Sequence, residues 1–186
     1  MGEQLQEVGI DPGPILIEPT AKNTAAAILA ASIFVHSKDE NAVLLVVPSD
    51  HVIPDTDAFH QAIKVGLSHV QSQKMVTFGI KPTHPETGYG YLELTKHPID
   101  DSGTSDLGKF IEKPDLQNAR QMLQAGHYLW NAGIFLFRVQ DMMDAFSAFA
   151  PETLELVSQA INEASSDLGF LRLAPEPWSE LQNISI

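Results

Sequence analysis

Six consecutive apolar residues, Ala42-Val43-Leu44-Leu45-Val46-Val47, stopped by Pro48, constrain this chain more than any other stretch. A strand with one wet face alternates apolar and polar residues. A continuous β-branched run predicts a strand covered on both faces, as in parallel α/β sheets. Proline ends it because it has no N–H to give to a ladder. Ile15-Leu16-Ile17, closed by Glu18-Pro19, and Met75 to Ile80 read as further strands. Between them, the Ala-rich span from Asn23 to His36 reads as a helix. Asp55 to Ser72 reads as an amphipathic helix with Phe59, Ala62, Ile63 and Leu67 on one side. Strand–helix alternation of this kind predicts a doubly wound α/β sheet.

Beyond Ile80 the punctuation changes. Tyr89 to Thr95 and Leu107 to Glu112 predict strands, separated by a polar loop or hairpin tip over Lys96 to Ser105. Asp115 to Ala125 predicts a helix, Ile134 to Val139 a strand, and Pro151 to Ala164 a helix with Pro in its first turn. From Ser165 onward the chain is polar and broken by prolines.

Composition excludes several function classes. The 186 residues fit one domain, and the net charge of −13 argues against nucleic acid or an anionic membrane as partner. A single nucleotide is not excluded, because local donors and a divalent ion suffice for one triphosphate. No cysteine is present, so a disulfide scaffold and a thiolate zinc site are ruled out. No apolar run approaches the roughly 18 residues of a membrane span. A cytoplasmic location is the expectation. The seven histidines are scattered without metal-ligand spacing, and Met122, Met142 and Met143 read as core packing.

Five short motifs hold the chemistry-bearing residues. Pro48-Ser49-Asp50-His51 follows a buried strand, where Asp50 either holds Mg²⁺ against phosphates or caps the next turn. In Thr83-His84-Pro85-Glu86-Thr87-Gly88-Tyr89-Gly90-Tyr91 the glycines allow close backbone approach, so the segment is either a loop whose main-chain N–H groups bind a sugar or phosphate oxygen or a tight turn into an edge strand. Glu112-Lys113-Pro114 offers a carboxylate for sugar hydroxyls and a point charge for phosphate, or else a solvated ion pair before a helix capped by Asp115. Trp130-Asn131-Ala132-Gly133 offers an amide and space for a ring, or a turn before a strand. Glu18-Pro19-Thr20-Ala21-Lys22-Asn23-Thr24 leads into the Ala-rich helix, whose N-terminus favours anions or base edges, with simple capping as the plainer role.

The order of these motifs carries more than any one of them. EPTAKNTAAA, LLVVPSDHVI, VTFGIKPTHPETGYGYLEL, FIEKPD and YLWNAGIFLFR together resemble the bacterial mannose-1-phosphate guanylyltransferases, from about Ile15 to Pro151. The resemblance implies a Rossmann-like nucleotidyltransferase fold, a mostly parallel sheet flanked by helices. It implies transfer of GMP from GTP to mannose 1-phosphate, giving GDP-mannose and pyrophosphate, with Mg²⁺. By position it implies Asp50 and Lys113 as catalytic residues, Asp50 as the metal ligand, and Glu18, Asn23 and Thr24 near guanine. It further implies Gly88, Tyr89, Glu112, Asn131 and Gly133 around the sugar, and allows a fused mannose-6-phosphate isomerase domain.

Three departures accompany the resemblance: Lys22 stands where Arg is usual, Ala26 where Pro is usual, and Ser49 where Ala is common. The family's Gly-rich GGxGxRLWPLSR loop has no counterpart, and the family's second metal aspartate would follow Ile186. Residues 1–186 are therefore expected to be a partial domain with little turnover alone. A non-catalytic nucleotide-sugar-binding module and a nucleotidylyltransferase for another sugar or base are the alternative readings. An uncovered sheet edge or apolar face would promote self-association. Light scattering on the isolated chain is expected to show oligomers, and a clean monomer at high concentration contradicts this.

Overall fold

The computed structural model describes residues 2–95 and 103–186. Most of the expected loop at Lys96 to Ser105 lies outside them. In chain order the elements are α1 (Gly2–Glu7), β1 (Ile15–Ile17), α2 (Thr24–His36), β2 (Val43–Val46), α3 (Thr56–Val70), β3 (Val76–Ile80), β4 (Tyr91–Leu94) and β5 (Leu107–Ile111). Then come α4 (Leu116–Ala125), β6 (Tyr128–Arg138), α5 (Val139–Phe149), α6 (Pro151–Asn162), β7 (Ser165–Asp167), β8 (Phe170–Arg172) and α7 (Pro175–Ser179). They pack into two compact units. One comprises Met1–Val43 with Arg138–Ile186, the other Leu44–Phe137.

In the first unit α2 is the central element. Its alanines, Ile28 and Leu29 leave it apolar on nearly every side, and such a helix is stable only when surrounded. It packs against α5 and α6. Ser32, fully buried, satisfies its hydroxyl on the Ile28 carbonyl one turn back at 2.8 Å. A three-stranded sheet, ordered β1-β8-β7, joins the start of the unit to its end: β1 runs parallel to β8, and β7 antiparallel to β8. The polar, proline-rich tail thus forms a hairpin and a short helix. These elements are too brief to show in hydrophobic periodicity, yet α7 delivers Trp178, fully buried, whose indole N–H donates to the Thr20 carbonyl at 2.8 Å.

The second unit is built on β6, the longest strand. The sheet runs β2-β6-β4-β5, with β3 also on β6. Asp55 caps α3 by accepting from the Ala58 amide at 2.9 Å, and Asp115 caps α4 by accepting from the Asn118 amide at 2.8 Å. The inward stripe of α3 is Phe59, Ile63, Gly66, Leu67 and Val70, and Ala62 is exposed. Gly66 lies where a methyl group would come within 3.0 Å of Leu136, so α3 sits close on the strand layer.

The α/β class holds, and three finer expectations are corrected. The sheet is not mostly parallel: β3 and β4 each run antiparallel to β6, and β4 antiparallel to β5. No helix intervenes between β3 and β4 or between β4 and β5 among the described residues, and a parallel crossover needs one. Second, β2 is not covered on both faces. Val43, Leu45 and Val47 are 40%, 37% and 49% exposed, so the chain's own elements cover one face. Third, Trp130-Asn131-Ala132-Gly133 is not a turn ahead of a strand but the middle of β6.

Gly79, where the β3–β6 register shifts, is exposed but leaves no space for a side chain on the side facing Leu129. An added methyl group would stand 2.8 Å from Leu129 Cβ, which belongs to a stiff part of its side chain. Gly79→Ala is expected to destabilise by about 1–3 kcal/mol through overpacking. Chemical denaturation measures it, and an unchanged midpoint contradicts it.

Candidate functional site

Tyr89 and Gly90 are the crossing point of three motifs remote in sequence. The Tyr89 carbonyl accepts from the Lys113 amide at 3.2 Å, and the Gly90 carbonyl accepts from the Asn131 amide at 2.8 Å. Gly90 has no side chain because there is no room for one. A Cβ would stand 2.6 Å from the Phe110 ring and 3.0 Å from Glu112 Oε2. The pairings Tyr91↔Ile111 and Tyr91↔Trp130 carry this junction outward from the sheet. Gly88, Tyr89, Glu112, Lys113, Asn131 and Gly133 are thereby gathered in one place.

At Asn131 the side-chain oxygen is committed inward. It accepts from Thr77 Oγ1 and from the Gly133 amide, both at 3.1 Å. Among the described residues no protein acceptor takes its Nδ2, so the amide's donor end is available to a ligand. The bond to the Gly133 amide closes a local loop within β6, and Gly133 sits at φ +66°, where glycine carries no steric penalty. Gly133 also abuts Pro48, 3.7 Å from where its Cβ would be. Asp50 lies two residues beyond Pro48, in an exposed turn, within about 7 Å of it along the chain.

Lys113 is held at φ +44°, uncommon for a residue with a side chain. Its ammonium lies 3.5 Å from Glu112 Oε1, and both side chains are more than half exposed. An exposed pair of this kind contributes under ~1 kcal/mol, so it does not explain the backbone conformation. In this conformation the Lys113 amide donates to the Tyr89 carbonyl, and Pro114 follows directly.

Residues without an assigned role in the sequence reading build much of this site. Tyr91, fully buried, donates its hydroxyl to the Glu86 carbonyl at 2.9 Å and accepts from the Glu86 amide at 3.1 Å. The Glu86 carboxylate accepts from the Thr87 and Gly88 amides, each at 2.8 Å, and lies 3.3 Å from His84 Nε2. Trp130 receives the rings of Tyr89 and His84 edge-on, at 5.4 and 4.9 Å. Its indole N–H is buried without a partner among the described residues. A glutamate just before Thr-Gly is the one local signal that pointed to Glu86, because a carboxylate there reaches the amides that follow it.

Glu18, Asn23 and Thr24 belong to the other compact unit. Asn23 caps α2, its side chain accepting from the Thr24 amide at 2.8 Å, while its own amide donates to Asn183 Oδ1 at 2.7 Å. The Thr24 hydroxyl accepts from the Ile186 amide, and the Ala25 amide donates to the Ile184 carbonyl, both at 3.2 Å. Lys22 donates to the Ser179 and Leu181 carbonyls. The residues expected at guanine therefore anchor the 179–186 segment. Glu18 keeps a free valence: its Oε1 is buried without a partner among the described residues, and burial pushes its carboxyl above the usual range.

Among the described residues, the glycine-rich junction leaves the Asn131 Nδ2, the Glu112 carboxylate and the Lys113 ammonium without backbone partners beside a backbone that is bonded to itself. The chain belongs to the nucleotidyl transferase family, whose pattern matches residues 3–180. It is 40% identical over 184 residues to the xanthan biosynthesis protein XanB of Xanthomonas campestris, covering 99% of this chain and 38% of that protein. It is 39% identical over 187 residues to a mannose-1-phosphate guanylyltransferase of Sinorhizobium fredii, covering 36% of it. The crystal structure of mannose-6-phosphate isomerase from Helicobacter pylori superposes with a TM-score of 0.83 at 30% identity, covering 97% of this chain and 70% of that one. The chain thus spans well under half the length of the curated relatives it matches. Among the described residues no helix is long and apolar enough to cross a membrane.

The Glu86 carboxyl is held below the usual glutamate range, first by the Gly88 amide, then by His84 and the Thr87 amide. With a lowered folded-state pKa, these bonds are complete above the unfolded value and are lost as pH falls through the folded one. The Thr87 and Gly88 amide resonances are expected to titrate with a midpoint below that of an unperturbed glutamate. A midpoint at or above it contradicts the cradle.

Proposed function

We propose that this chain is the nucleotide-sugar-forming core of a mannose-1-phosphate guanylyltransferase, in which GMP passes from GTP to mannose 1-phosphate and pyrophosphate leaves. The observation that carries the reading is the junction at Tyr89–Gly90, where Lys113 and Asn131 are tied by backbone bonds to one dipeptide and Glu112 closes over its glycine. The names of the relatives above supply the substrate class.

In this reading the Glu112 carboxylate and the free amide of Asn131 bind mannose hydroxyls, Gly88, Tyr89 and Gly133 give the ring its space, and Lys113 neutralises the sugar phosphate. Glu18, Asn23 and Thr24 are the residues proposed for guanine, and Glu18 has a carboxylate oxygen without a partner among the described residues, of the chemistry that accepts from the base's N–H edge. The phosphate oxygen of mannose 1-phosphate attacks the α-phosphorus in line, the bond to the β-phosphate oxygen breaks, and no covalent enzyme intermediate forms. The chain's contribution is positioning and charge neutralisation.

Among the described residues no group of three or more His, Asp or Glu converges. Asp50 in its exposed turn is a single hard carboxylate, which does not make a protein cage but fits Mg²⁺, an ion that keeps waters and shares its shell with substrate phosphates. When bound there, Mg²⁺ supplies charge neutralisation for the triphosphate. Cytoplasmic location, a homo-oligomeric state and a fused mannose-6-phosphate isomerase domain in a longer protein accord with this reading.

Calorimetric titration with mannose 1-phosphate tests it. Binding by the unaltered chain is expected, with Lys113→Met weakening it about 10- to 100-fold through loss of a charge-assisted phosphate contact. Equal affinity for glucose 1-phosphate, or for ATP in place of GTP, would sink the sugar or the base assignment respectively.

A further inference from the structure

The geometry points to Glu86 as a positioning residue for the sugar-phosphate subsite: by holding the Thr87 and Gly88 amides it sets the Tyr89 ring and the Tyr89–Gly90 carbonyls before ligand arrives. This rests on the reading of the junction as the mannose 1-phosphate site. The sequence motif suggested that amides around Gly88 receive a ligand oxygen. In the structure the Thr87 and Gly88 amides are taken by the Glu86 carboxylate at 2.8 Å each. Gly88 takes part in the arrangement, since a Cβ on it would lie 3.3 Å from Glu86 Oε1, closer than most such contacts. Glu86 itself is clamped at both backbone ends by the hydroxyl of buried Tyr91, so its carboxylate is anchored to the core rather than to a mobile loop.

The consequence falls on Tyr89. Its ring is half exposed, as a ligand platform must be, yet its position is restricted on both sides. The Glu86 cradle fixes the chain before it, and its carbonyl is fixed by Lys113 after it. Its edge rests on Trp130 at 5.4 Å, and His84, bonded to Glu86 and packed on the same indole, completes the support. A loop ordered in advance spares the ligand the cost of ordering it, so Glu86 acts through Gly88 and Tyr89 without touching ligand.

The test compares mannose 1-phosphate and GTP titrations of the unaltered chain with those of Glu86→Ala, Glu86→Gln and Glu86→Asp, alongside thermal midpoints. Glu86→Ala is expected to weaken mannose 1-phosphate about 3- to 10-fold while GTP affinity stays level. Glu86→Gln keeps an oxygen that reaches both amides and is expected to restore affinity. Glu86→Asp, one methylene short, is expected to fold and to bind weakly, so it decides the matter if the alanine variant does not fold. Mannose 1-phosphate bound equally well by the unaltered chain and by the alanine or aspartate variant overturns the positioning role and leaves the sugar-phosphate reading standing. Equal loss of both ligands with a lowered thermal midpoint shows a merely structural residue and also overturns it. No binding by the unaltered chain overturns the sugar-phosphate reading, and this inference with it.

Discussion

The Tyr91 hydroxyl is the bond on which the described site depends. It is a buried group whose donor and acceptor capacity is spent on the two backbone polar groups of one residue, Glu86. An unpaired hydroxyl at that depth carries a penalty of about 1–3 kcal/mol, so the loop from 84 to 90 is tied to the core by the cost of letting go. From that tie the rest follows in order. Glu86 orders Thr87 and Gly88, Tyr89 and Gly90 come into register with Asn131 and the strand end at Glu112, and Lys113, in a left-handed conformation, donates its amide to the Tyr89 carbonyl.

The arrangement distributes labour between backbone and side chain. Carbonyls and amides of the junction are consumed internally, leaving the Asn131 Nδ2, the Glu112 carboxylate, the Lys113 ammonium and the Tyr89 ring without backbone partners among the described residues. A site of that kind discriminates by fixed direction rather than by the number of contacts. It also suits the proposed direct transfer, in which the protein contributes alignment and charge. In the other unit the same economy appears differently: Lys22, Asn23 and Thr24 hold the 179–186 segment across the start of α2, while Glu18 keeps one buried oxygen unpaired.

The elements with long periodic or continuous apolar patterns were legible in advance. Asp115 caps α4 as its motif offered, and the segment from Glu18 to Thr24 caps α2 through Asn23. The helix α5, the β7–β8 hairpin and α7 were not legible. The last three are three to five residues long, too short for a period to register, and α5 follows β6 without any intervening loop residue to mark the boundary. Strand direction was misjudged for a related reason: an apolar run says that a strand is buried, not which way its neighbour points.

The amino-acid sequence by itself determined the α/β class, the net negative charge, and the identity of the polar residues in each motif, because these depend on residue type and spacing along the chain. Only the tertiary structure decided that Tyr91 holds both backbone polar groups of Glu86, that Gly90 is a glycine because Phe110 and Glu112 press on it, and that Asn131 spends its oxygen inward and keeps its nitrogen. These are facts of contact between segments up to 54 residues apart. No local pattern encodes which of two hydrogen-bonding ends a neighbour from another strand will take.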